Sequence, residues 1–132
     1  MKIAKRMYSI LCDDVREEKG GKLSLIGTYS KSIFFNKVPA IYPKICLVLV
    51  IEGLKDLLPE VKVVFKSPES KDETIILKTP SKVISDDDVR LVLVKSPLKI
   101  NAVGKAKFQV YFGDAKRPSY THNFEIKLMK TT

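Results

Sequence analysis

Residues 105–129 read KAKFQVYFGDAKRPSYTHNFEIKLM, and their alternation decides the fold class. Ala106, Phe108, Val110 and Phe112 fall on one side of an extended chain and Lys105, Lys107, Gln109 and Tyr111 on the other, because successive side chains of a strand point to opposite faces. Gly113 to Pro118 interrupts the pattern. Beyond it Phe124, Ile126 and Leu128 alternate with Asn123, Glu125, Lys127 and Met129. Two such segments joined by a turn make a β-hairpin with one apolar and one wet face.

The rest of the chain speaks the same language. Residues 45–51 (ICLVLVI) are continuously apolar, as in a central strand covered on both faces. Residues 22–35 alternate, with Leu23, Leu25, Tyr29, Ile33 and Phe35 against Lys22, Ser24, Thr28, Ser30 and Ser32, and a break is expected near Gly27 or Lys31. Further strand-forming runs lie at 3–12, 61–65, 74–78 and 89–94. Residues 36–44 contain Pro39 and Pro43 and read as a loop, since proline cannot donate to a ladder. Residues 52–59 (EGLKDLLP) are the best candidate for a helical turn. Seven or eight short strands without a long helix predict an all-β chain: an antiparallel β-sandwich, Ig-like or C2-like, spanning 1–132 as one domain. A barrel is the second choice.

At 132 residues the chain can bury a core without disulfides or metals. Its net charge is +9, yet only 4 of its 24 basic residues are arginines. The planar fork that reads phosphates and base edges belongs to Arg, so this charge suits a solvated surface and nonspecific attraction of a polyanion better than sequence-specific nucleic-acid binding. Cys12 and Cys46 lie in apolar strand-like runs and read as buried free thiols, in keeping with a reducing cytoplasm. The apolar part of the N-terminal segment, 7–12, is shorter than a signal h-region, and 45–51 is far below the roughly 20 residues a membrane helix needs. A cytoplasmic protein without membrane contact is expected.

If consecutive strands run antiparallel, the loops at 13–21, 52–60, 79–88 and 113–118 share one end of the sandwich and gather 11 of the 15 acids. Asp13, Asp14, Arg16, Glu17, Asp86, Asp87 and Asp88 are the candidate interaction loops at this acidic pole. Solid runs of acids differ from the alternating aspartates of calcium loops, so no metal site is assigned. Lys105, Lys107, Tyr111 and Lys127, on the wet face of the last hairpin, are the candidate anion-contacting face. Nucleophilic chemistry would need Cys12 or Cys46 within reach of His122, the only histidine, which lies in phase with Phe124 and Ile126. Gly20-Gly21-Lys22 lacks the spacing of a phosphate loop and suits a hairpin turn. The chain has no Trp to form a sugar platform. No catalytic residue and no cofactor is expected.

The pattern ILCDDVR at 10–16, then KLSLIGTY at 22–29, with the 39–43 proline loop leading into KICL at 44–47, resembles a family of small uncharacterised bacterial and prophage proteins. The resemblance covers about the first fifty residues. It implies bacterial or phage origin and carries no activity with it. The resulting expectation is a non-enzymatic module that binds another protein. The alternative is metal-dependent or anionic-ligand binding, including nucleic acid, through the acidic loops or the basic strand faces.

Overall fold

The computed structural model describes residues 4–54, 60–77 and 87–130. The described residues form eleven strands: β1 (Arg6–Glu17), β2 (Leu23–Tyr29), β3 (Ser32–Phe35), β4 (Ala40–Tyr42), β5 (Ile45–Leu54), β6 (Val61–Lys66), β7 (Glu73–Leu77), β8 (Asp87–Lys95), β9 (Leu98–Ile100), β10 (Gly104–Phe112) and β11 (Tyr120–Leu128). They make a four-stranded sheet in the order β2-β1-β5-β8, a five-stranded sheet in the order β3-β11-β10-β6-β7, and a β4-β9 ribbon. The two large sheets face each other across one core and neither closes into a barrel. Among the described residues there is no helix long and apolar enough to cross a membrane.

The expected sandwich is present, with three corrections. The strand count exceeds seven or eight because the stretch at 22–35 divides into β2 and β3 and because the segments at 40–42 and 98–100, beside prolines, pair with each other, as Ala40↔Ile100 and Tyr42↔Leu98. The pairing is also not wholly antiparallel, since β3 runs parallel to β11, with Ser32 opposite Glu125 and Phe35 opposite Leu128. The helical turn expected at 52–59 gives way to strand as far as Leu54, and 55–59 lie outside the described residues.

The apolar run at 45–51 lies in a central strand. β5 is flanked by β1 and β8, and its residues from Ile45 to Ile51 are all buried. Leu47, Leu49 and Ile51 face the core between the sheets, where they join Phe65, Phe108 and Phe124 from the five-stranded sheet. Cys46, Val48 and Val50 face the opposite way. They would be open to water if the β1–β2 hairpin continued flat.

That hairpin instead turns over at Asp13 and Gly27. Leu11 and Tyr29 pack against the main core, whereas Val15, Leu23 and Leu25 pack against Cys12, Cys46, Val48 and Val50 on the outer face of β5. The register runs on unchanged across the corner, from Cys12↔Thr28 to Asp14↔Ile26, so both strands bend together. Gly27 adopts φ +67° there, a left-handed conformation that suits glycine. The end of the hairpin thus forms a flap. Its turn uses Gly20 and Gly21, at φ 81° and 74°, and the Glu18 N–H donates to the Lys22 carbonyl at 2.8 Å. Arg90 on β8 pins the flap by donating from Nη2 to the Gly21 carbonyl.

Candidate functional site

Of the four acidic loops expected at one end, the described parts of three meet there, with Asp87 paired to Leu54 and the Gly113 N–H donating to the Glu60 carbonyl at 2.8 Å, but the loop at 13–21 starts from the other end. Asp14 lies just past the Cys12↔Cys46 pair, with its carboxylate 2.6 Å from Lys44 Nζ, whereas Asp87 pairs with Leu54 at the far end of β5. Ten residues of strand separate those levels, about 30 Å at the rise of an extended chain. The alternation is offset after the first hairpin because β3 runs as an additional strand between β2 and β5. Folding of the flap nonetheless brings Glu17 and Glu18 to a cleft shared with Lys22, Asp88 and Arg90. Asp13 accepts a hydrogen bond from the Tyr29 hydroxyl. Lys44 holds the Asp14 carboxyl below its ordinary range, aided by the Val15 N–H and by Arg16 at 3.9 Å. Asp86 lies outside the described residues. Among those described, no three His, Cys, Asp or Glu side chains converge as a metal site would require.

The expected lysine face is assembled. Lys105, Lys107 and Tyr111 project from β10 on the side opposite its buried residues, and Lys127 projects from β11. β6 adds Lys62, which sits 4.9 Å from the centre of the Tyr111 ring, and Lys66. Acids are interleaved, however. Glu125 stands opposite Lys105 and 3.9 Å from Lys127, and Asp72 pairs with Lys66 at 3.3 Å. The groove of about 690 Å³ beside Tyr111 is lined by Lys62, Lys66 and Lys116 but equally by Glu60, Asp72 and Asp114. That balance removes most of the attraction a polyanion would feel.

The thiols and the histidine are kept apart by the four-stranded sheet. Cys12 faces outward, under the flap, while His122 reaches inward from β11 and its Nδ1 lies 2.5 Å from Ser9 Oγ. Tyr120 OH completes the cluster at 2.6 Å from the same hydroxyl. Ser9, Tyr120 and His122 thereby tie the two sheets together. The His122 Nε2 atom is buried without a partner among the described residues. Burial disfavours the imidazolium and lowers the His122 pKa from the ordinary 6.5. The unfolded chain therefore takes up a proton near pH 6.5 that the folded chain refuses, so this contribution is present above that pH and lost as pH falls toward the folded value. In urea unfolding, the stability difference between the wild type and His122→Gln should move against the wild type between pH 7.5 and 5.5. A difference independent of pH would contradict the assignment.

One apolar surface cleft is not evident from the sequence. Phe34, Ile41 and Met129 are 52%, 69% and 55% exposed, and they converge on an open cleft of about 470 Å³ between β3 and β4. Phe35, Pro39, Ala40 and Tyr42 complete its predominantly apolar lining. Phe35 and Tyr42 meet within it at 4.8 Å between ring centres. Among the described residues β3 lies at the edge of its sheet, with β11 as its one neighbouring strand. Lysines flank the cleft: Lys37 lines it, Lys127 is opposite Phe34 and Lys99 is opposite Ile41. No carboxylate lines it among the described residues. The available sequence signal was Phe34, out of phase between the buried Ile33 and Phe35, together with Ile41 isolated between two prolines.

Compared with known proteins, residues 7–127 match the model of a family of unknown function, DUF6941, a span well beyond the first fifty residues. No curated protein and no solved structure matches the chain.

Proposed function

We propose that this chain, which belongs to the DUF6941 family of unknown function, is a non-enzymatic binding module that captures an acidic protein segment carrying a large apolar side chain. The cleft between β3 and β4 is the observation that carries this reading. Single exposed apolar residues are normal on a surface, but three around one apolar cleft mark a contact surface. The lysine rim selects the charge of the partner, and the unpaired edge of β3 offers backbone groups to an extended segment. The bacterial or phage setting and the cytoplasmic location belong to the same proposal, supported by the N-terminal resemblance and by two buried, unbridged cysteines.

Anion binding by the lysine face alone has less support, since Glu125 and Asp72 neutralise part of it. In the proposed complex the charge selection comes instead from the cleft rim, at Lys37, Lys99 and Lys127, where no carboxylate lines the cleft among the described residues.

Selection of a displayed random-peptide library against the protein tests the reading. Sequences enriched in Asp or Glu around Leu, Ile, Phe or Trp are expected. Their affinity should fall about tenfold or more with Ile41→Asp and stay unchanged with Ile76→Asp, an exposed apolar position elsewhere on the protein. Enriched peptides indifferent to Ile41→Asp, or no enrichment, would refute it.

A further inference from the structure

Cys12 and Cys46 are not merely buried but are register partners on neighbouring antiparallel strands. Partners in such a ladder have side chains on the same face and Cα atoms roughly 4.5–5.5 Å apart, inside the window of about 4.4–6.8 Å that a disulfide spans. Both residues belong to the small outer core, at 0% and 1% exposure, and both thiols are free. The layer above them is the flap: Val15, Leu23 and Leu25 pack on this cluster, along with Tyr8 and Val92.

We propose that Cys12 and Cys46 form a reversible disulfide across β1 and β5, made and broken only when the flap lifts about its Asp13–Gly27 corner. The chemistry is thiol–disulfide exchange with a low-molecular-weight disulfide. The thiolate of one cysteine attacks that disulfide, forming a mixed disulfide and expelling one small thiol. The other cysteine, as its thiolate, attacks the protein-side sulfur and expels the second. Two protein thiols are oxidised, one small disulfide is reduced to two thiols, and the protons pass to those leaving groups.

The closed flap keeps the pair inert. Burial is the main cause that pushes the Cys12 thiol up to about 11, reinforced by Cys46 and Asp13 beside it, and burial likewise raises Cys46. Little thiolate is available at neutral pH until water enters. The flap is held by features able to yield locally: the Arg90 bond to the Gly21 carbonyl, the exposed Lys44–Asp14 pair and three apolar side chains. Opening it leaves the main core between the sheets untouched.

Incubating the full chain with oxidised glutathione tests the proposal, followed by intact-mass measurement and peptide mapping without reduction. The expected product has lost two hydrogens, carries no retained glutathione, and yields a peptide linking Cys12 to Cys46. Arg90→Ala should form the same product about tenfold faster, because it favours local opening over global unfolding. Cys12→Ser should give at most a mixed disulfide at Cys46. Stable glutathione adducts on both cysteines, a bridge between two chains, no reaction even with Arg90→Ala, or a rate that ignores that substitution would overturn it.

Discussion

Phe108→Ala is expected to lower the free energy of unfolding by about 3–5 kcal/mol, the range for deleting a fully buried aromatic side chain. Phe108 is 0% exposed in the middle of β10, with ring centres 4.8 Å from Phe65 and 5.9 Å from Phe124. Those neighbours come from β6 and β11, the strands on either side. The rings cannot close the gap without breaking the ladders that hold them, so the cavity persists and its cost adds to the lost transfer energy. Urea unfolding should show a lower midpoint with an unchanged slope. Phe34→Ala, which removes the same atoms from the cleft surface, should shift stability by less than about 0.5 kcal/mol. Similar losses from both substitutions would mean that the aromatic trio is not the centre of the core.

Gly27→Ala is expected to cost about 2–3 kcal/mol, from left-handed backbone strain plus a lost hydrogen bond. At φ +67° an alanine is strained, and its Cβ would also collide with the Asp13 carboxylate. Moving that carboxylate gives up its bond with the Tyr29 hydroxyl. Gly20 separates the two effects. It has a similarly left-handed backbone, at φ +81°, with nothing within 4 Å of an added Cβ. Gly20→Ala should therefore show only the backbone cost, about 1–2 kcal/mol. Equal destabilisation by the two substitutions in urea would show that the corner is not tightly packed.

What the sequence reveals follows from what a period-two pattern can carry. The last hairpin and β5 were readable because a long run with one consistent exposure leaves little choice of structure. The flap was not. Leu23, Leu25 and Tyr29 share one alternation, yet the first two pack outside the four-stranded sheet and the third packs inside it. An apolar residue announces that it will be covered without saying by which layer. The break expected near Lys31 is present, but nothing in the sequence says that it carries the chain from one sheet to the other across only Ser30 and Lys31. β4 and β9 are three residues each, too short for alternation to register. The lysine face was legible because one hairpin supplied its first four members, though its acids could be placed only with the register known. The cleft was hidden for the opposite reason. Phe34, Ile41 and Met129 come from three separate segments, and each alone is an ordinary apolar residue.

The parallel alliance of β3 with β11 bears on how the chain is made. Ile33 and Phe35 emerge about ninety residues before the strand they lie beside, which is the last of the eleven described. Until Leu128 has left the ribosome, β3 lacks its partner and the five-stranded sheet cannot be completed. Pairings that span most of a chain form slowly, because loop closure precedes their reward. From the emergence of β3 to that of β11 the SIFF segment therefore stands without that partner, the kind of unpaired strand that other chains can capture.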